Sequence, residues 1–218
     1  MSAQPSRATR SPPFQDLITT EMQLRDVIGM PARRAADKAI ASIDAHAHAF
    51  IALSPFVLVA SSDGAGGLDI SPKGGPAGFV HVLDAQTLAI PERPGNRRAD
   101  TFCNVLREPA VALLFLIPGK AETLRVGGRA AIVRDASLRE RMAVQGKVPE
   151  LALVITVREL FFHCARCAIR SGIWQSAAWP AAGGLAPHAQ CIVDHAGSGE
   201  SVDDVQASLD RSYRDNLY

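Results

Sequence analysis

Asp63–Asn104 reads DGAGGLDISPKGGPAGFVHVLDAQTLAIPERPGNRRADTFCN, and the order of elements along it decides the fold. Asp63 and Gly64 make a turn, LDIS returns as a short strand, and KGGPAG breaks it. GFVHVLD and TLAIPE are two strands around Ala85-Gln86, and paired arginines then open a helix. This order places Lys73, Arg97 and Arg98 in loops, where fixed positive charge and free backbone N–H groups can hold a phosphate. Convergence of the three would make a phosphorylated-cofactor site on a small β scaffold.

Working outward, FVLVASS from Phe56 is a compact β-branched and aromatic run closed by that first turn. On the other side, Arg98 to Arg107 reads as a helix stopped by Pro109. AVALLFLIPG is a nearly continuous apolar strand, expected to be buried on both faces. ETLRVGGRAAIVRD is a long strand whose glycine pair suits a bulge or sharp bend. SLRERMAVQ follows as a helix capped by Ser137, and LALVITVRELFFHC is a strand leading into a helix through CAIRSG. Short strands with tight turns and few helices between them argue for a barrel rather than a parallel α/β sheet.

The flanks read as helical. Thr20 with Gln23 resembles a capping box opening Glu21–Ile28, which Gly29 stops. Pro31 suits the first turn of ARRAADKAIASI, and Asp44 caps AHAHAFIAL, which ends before Pro55. AAWPAAGGLAPHAQ reads as a linker, and SVDDVQASLDRSYRDNLY as a polar helix with a narrow apolar stripe of Val202, Val205, Leu209 and Tyr213. The expected organisation is a flexible tail (1–19), a helical extension (20–54), the barrel (55–175), then linker and C-terminal helix (176–218).

The 218 residues carry 23 basic and 22 acidic side chains, so a net charge of +1 gives no general pull toward nucleic acid or anionic membrane. Only Lys38, Lys73, Lys120 and Lys147 are lysines; arginine, the better fork for phosphate, supplies the rest. Four cysteines are too few and scattered for a disulfide framework. The N-terminus has no apolar core of signal-peptide length, and no run approaches the roughly 20 apolar residues that span a bilayer. A cytoplasmic protein with reduced thiols is the expectation.

Each candidate site has a plain alternative. In Ser71-Pro72-Lys73-Gly74-Gly75, a hydroxyl, an ammonium and glycine N–H groups can face an anion, or make an ordinary surface turn. Gly95-Asn96-Arg97-Arg98 precedes a helix, so its donors would lie near the positive end of the dipole; a solvated cap is the other reading. Alternation puts Thr123, Arg125 and Gly127 on one face of a strand, either a cofactor groove or the barrel exterior. Arg170-Ser171-Gly172-Ile173-Trp174 offers a fork, a hydroxyl and a ring for a polar aromatic ligand, or a core or interface tryptophan beside a helix end. His163-Cys164-Ala165-Arg166-Cys167 supplies three soft ligands where a closed zinc site needs four, so no metal is expected. His46 and His48 fall about 200° apart on a helix and cannot share a face. Elbow glycines around a Ser/His/Asp order, HExxH, Walker and GxGxxG motifs are all missing.

Taken together, roughly Ile51 to Trp174 resembles the pyridoxamine 5′-phosphate oxidase-like flavoproteins, the FMN-binding split-barrel superfamily. Its most specific part is DISPKGGPAGFVHVLDAQTLAIPERPGNRRADTFCNVLREPAVALLFLIPG. The resemblance implies a mainly β (α+β) fold, a six-stranded antiparallel split β-barrel with flanking helices. It also implies a homodimer with FMN at the subunit interface. The family's basic pair for the FMN phosphate falls on Arg97 and Arg98, with Gly74 and Asn96 beside the phosphate loops. Its basic residue at the end of the second strand falls near Lys73, with Ser71 beside it, and its polar strand position near Thr123 or Arg125. Its C-terminal arginine and tryptophan positions resemble Arg166, Arg170 and Trp174, with Ser171 adjacent, supplied by the partner subunit. The oxidases proper hold substrate phosphate with a Tyr, Arg and Ser spaced four apart; SLRERMAVQGK does not reproduce this, and no Arg-x-His follows Trp174. The resemblance therefore implies an FMN-dependent oxidoreductase of unassigned small-molecule substrate, with no catalytic residue named. An NAD(P)H-dependent flavin reductase and a flavin- or haem-binding carrier or sensor are the alternatives.

Overall fold

FVLVASS alternates because one of its faces meets a core. Val57 and Val59 are fully buried on β1 (Phe56–Ser62), while Leu58 and Ala60 are half-buried. The computed structural model describes residues 14–218; residues 1–13 of the expected tail lie outside them. In it, β1 pairs with β2 (Leu68–Gly74) on one side and β5 (Ala110–Leu116) on the other. With β3 (His81–Asp84), β4 (Thr87–Pro91), β6 (Thr123–Val133) and β7 (Ala152–His163), they form one antiparallel sheet in the order β2-β1-β5-β6-β7-β4-β3. The resemblance implies six strands, and the described residues form seven, because the four-residue β3 pairs with β4 and adds an edge. The order does not close on itself. The sheet curls instead, so that Lys73 on its first strand meets Glu92 just past its sixth.

Inward residues of β1, β4, β5, β6 and β7 fill a single core, plugged by Ala47, Phe50 and Ile51 of α3 (Ala45–Leu53). Burying each large apolar side chain contributes about 1.5–3 kcal/mol. The inward parity of β7 runs through Leu153, Ile155 and Val157 and then switches to Leu160. The switch falls at Arg158, where the register with β6 shifts between Gly127 and Gly128, so the glycine pair does mark a bulge. Gly128 passes so close to β7 that a Cβ there would fall onto the Thr156 carbonyl oxygen. β5 is fully buried on one face only; its other face is half-buried, against the expectation of burial on both.

Several boundaries differ from the sequence reading. β2 runs on through Gly74, because Val57 and Phe56 of β1 continue to pair with Lys73 and Gly74. Pro72 is tolerated there because β2 is an edge strand. Lys73 therefore sits on a strand and not in a loop. α4 is shorter than expected, Asp100–Val105, because Ala99 before it is left-handed; Arg98 lies outside the helix. α5 (Ala136–Arg141) starts after Asp135, and Ser137 caps nothing. Its Leu138 and the following Met142 cover the outer face of the sheet over Ala89 and Ala152. β7 leads into α6 (Arg166–Ser171). The expected linker contains a 3-10 turn (Ser176–Ala178) and the start of α7 (His188–Ala196), which packs on α8 (Val202–Asp215). Val205 of the expected stripe is buried, and Tyr213 is exposed.

The described residues divide into two units between Lys38 and Ala39. In the first, α1 (Glu21–Ile28) has the full capping box of Thr20 and Gln23. α2 is only Arg33–Ala36. The longer helix expected over ARRAADKAIASI does not form, because Ile40 in the second unit exchanges backbone hydrogen bonds with Leu160 of β7.

Candidate functional site

α4 is pinned to the first two strands by polar contacts from both. Asp69 Oδ2 on β2 accepts from Ser71 Oγ (2.9 Å) and from Thr101 Oγ1 (3.2 Å). Buried Asn104 donates through Nδ2 to Ser61 Oγ of β1 at 3.0 Å. Phe102 is buried beneath Lys73, whose Nζ lies 5.6 Å from the ring centroid. These contacts fix α4, and with it the loop that enters the helix.

That loop is strained. Arg97 and Ala99 have φ of 61° and 55°, left-handed values that cost a side-chain-bearing residue roughly 1–2 kcal/mol each. Asn96 Oδ1 accepts from the Arg98 backbone N–H at 3.0 Å, and Arg98 Nε donates to Asp100 Oδ2 at 2.8 Å. The Asp100 hydrogen bond holds the Arg98 guanidinium above its ordinary pKa. Among the described residues Arg97 makes no ion pair.

The loop forms one wall of a cavity of about 640 Å³. Ser71, Lys73 and Gly74 form part of the opposite wall, with Arg93, Glu92, Glu150 and Leu217 completing it. Two separated stretches singled out in the sequence, Ser71–Gly75 and Gly95–Arg98, therefore meet. Lys73 is not free there: its Nζ sits 2.9 Å from Glu92 Oε2, in a pair with side-chain exposures of 20% and 29%. The cavity holds matched charges in two pairs, Lys73 with Glu92 and Arg98 with Asp100. It also holds two cations without such a partner among the described residues, Arg97 and Arg93.

The structure brings the other candidates elsewhere. Leu124 and Val126 take the inward face of β6, so Thr123 and Arg125 lie on the outer one. Arg125 pairs with Glu159 at 3.2 Å and lies 5.2 Å over the Phe161 ring. Arg166, Arg170, Ser171 and Trp174 belong to α6 and the turn after it, and none lines the cavity. Sequence reasoning missed Asp69, Thr101, Asn104, Glu92 and Arg93. Only Asp69 and Glu92 carried a signal, as acids two residues before Ser71 and three before Gly95.

Residues 43–164 match the family model for pyridoxamine 5′-phosphate oxidase. The chain belongs to the pyridoxamine 5′-phosphate oxidase family. The match covers the whole sheet and α4, so every wall of the cavity except Leu217 lies within the family's own segment. No curated protein matches the chain. Among solved structures, a single-residue variant of HupZ from Group A Streptococcus is 19% identical, covering 56% of this chain and 99% of that one at a TM-score of 0.46. A pyridoxinephosphate oxidase family protein from Clostridium acetobutylicum, related to general stress protein 26 of B. subtilis, is 16% identical over 54% and 85%, at 0.42. An FMN-binding protein from Syntrophomonas wolfei is 12% identical over 53% and 81%, also at 0.42. At such identities and TM-scores none of them bears on what this family member binds. No helix among its described residues is long and apolar enough to cross a membrane.

Proposed function

We propose that this chain is a cytoplasmic FMN-dependent oxidoreductase acting on a small molecule, with residues 55–175 as its flavin-binding part. One observation carries the reading: Lys73, Arg97 and Arg98 line the same cavity, and the loop bearing the arginines is held in a strained conformation. Strain of this kind persists where surrounding contacts over-determine it, and it gathers at ligand clamps. The residues present fit a phosphorylated cofactor. Arg97 brings a charge not spent on any acid among the described residues, and the Arg98 guanidinium keeps its terminal N–H groups beyond the bond to Asp100. Lys73 supplies a third cation once a phosphate competes with Glu92 for it, and Ser71, Gly74 and Asn96 offer short polar contacts at the same cavity.

FMN, when bound, supplies the redox chemistry, a hydride exchanged between substrate and flavin N5. The protein's part is to neutralise the phosphate, orient the ring and limit water. Such a reaction needs no nucleophile, and none is assigned. The cavity of a single chain lacks Thr123, Arg125, Arg166, Arg170, Ser171 and Trp174. A homodimer with FMN at its interface would bring a second copy of Arg166, Arg170, Ser171 and Trp174 to the flavin. The exposed Leu68 and Ile70 of edge strand β2 support such a pairing, since a second copy would cover them.

The visible absorbance of the purified protein tests the reading, with mass analysis of whatever heat releases. Flavin bands and a released FMN are expected; a colourless protein that takes up no added FMN contradicts it. Rapid bleaching by NAD(P)H, with recovery in air, would assign a flavin reductase within the same reading.

A further inference from the structure

Arg93 stands apart from the phosphate residues of the cavity. It follows β4, lines the cavity and is half-buried, yet none of the ion pairs among the described residues includes it. One terminal nitrogen donates to the Met142 carbonyl at 2.6 Å, and the guanidinium carbon lies 5.3 Å over the Tyr218 ring. These contacts hold the plane of the fork without giving it an ion pair among the described residues. The acids nearest in sequence and cavity are committed or apart: Glu92 is on Lys73, and Glu150 makes no ion pair among the described residues. His81 of β3 and Arg141 of α5 add no negative charge. Burial, together with Arg141 and Arg93, holds the His81 imidazole below its ordinary pKa. Burial likewise draws the Arg93 guanidinium down, partly offset by Tyr218.

A half-buried cation facing a cavity without an acid of its own is costly unless a ligand supplies the counter-charge. We infer that Arg93, steadied by the Met142 carbonyl and the Tyr218 ring, is a second anion subsite of the cavity, binding a carboxylate or phosphate group of the substrate. The inference rests on the proposed reading only in leaving Arg97 and Arg98 to the cofactor's phosphate. A planar fork suits both anions, and an arginine already oriented loses less freedom on binding than a mobile one.

The test separates this subsite from the cofactor site. Inorganic phosphate is titrated calorimetrically into the Arg97→Ala/Arg98→Ala protein, which lacks the paired arginines of the proposed cofactor site, and acetate is titrated in parallel. One saturable anion site should remain, and adding Arg93→Met should weaken it by about ten-fold or more. Tighter binding of phosphate or of acetate then tells which group the substrate bears. Arg93→Lys, which keeps the charge but loses the fork, should weaken it less, and it serves as the test if Arg93→Met does not fold. Absence of any remaining site, or a site that neither Arg93 substitution weakens, overturns the inference. Neither result depends on whether the wild-type protein is yellow, so a failure here is distinct from a failure of the flavin reading.

Discussion

Lys73 Nζ and Glu92 Oε2 lie 2.9 Å apart, and this ion pair joins the edge strand β2 to the exit of β4, sixth in the sheet order. It ties together the two strands that build the cavity wall opposite the arginine loop. It also sets an internal carboxylate against any phosphate that approaches Lys73.

Glu92→Gln should therefore have two opposite effects. The unliganded protein loses about 1 kcal/mol, because the pair is partly exposed and screened. FMN should bind several-fold more tightly, because Lys73 no longer has to leave a carboxylate. Thermal melts and a fluorescence titration of FMN check the two halves.

Backbone strain at Arg97 can be separated from its charge. Arg97→Ala and Arg97→Gly both remove the cation, but only glycine relaxes φ of 61°. Both variants should lose FMN affinity alike, while Arg97→Gly is more stable than Arg97→Ala by about 1 kcal/mol. Equal stabilities in denaturant melts would show that the loop is not strained in solution.

Gly128→Ala should be the most damaging of the small substitutions. The added methyl meets the Thr156 carbonyl and the Ile155 side chain across the bulge, and neither can retreat without disturbing β7. A loss of about 2–3 kcal/mol in urea unfolding is expected, against a few tenths for an exposed surface change.

The burial that lowers the His81 pKa, aided by Arg141 and Arg93, makes the protein acid-sensitive. An imidazole that resists protonation when folded binds more protons when unfolded, so stability falls as pH drops below the ordinary histidine value of 6.5. Asp63, whose carboxyl is held down by the Ala65 and Gly67 backbone N–H groups, loses its contribution only below 3.8 and so acts in a separate range. Melting temperature should decline between pH 7.5 and 5.5 (about neutral to mildly acid), and less steeply in His81→Leu.

Local grammar carries much of the fold. The capping box at Thr20, the Asp44 cap, the β-branched run of β1 and the Gly127-Gly128 bulge are all short-range signals, and each forms where its residues say. What the sequence hid depends on distant partners. Ile40 leaves its helix for Leu160, and the KGGPAG break begins two residues late because β1 continues to pair. The start of α7 was hidden by a Pro- and Gly-rich stretch, although Pro187 before it and left-handed Gly197 after it are boundary signals. In the cavity, the motif cations were legible as charges near glycines. The Arg98–Asp100 pair is local to the loop, whereas the pairing of Lys73 with Glu92 arises only when the sheet curls.

The central claim is that the paired arginines hold the cofactor's phosphate, and FMN titrated into Arg97→Ala/Arg98→Ala tests it most directly. The account predicts at least a hundred-fold (~10²) loss of affinity with the melting temperature of the unliganded protein largely retained, as expected for losing two charge-assisted contacts. FMN binding at wild-type strength in that variant would contradict it.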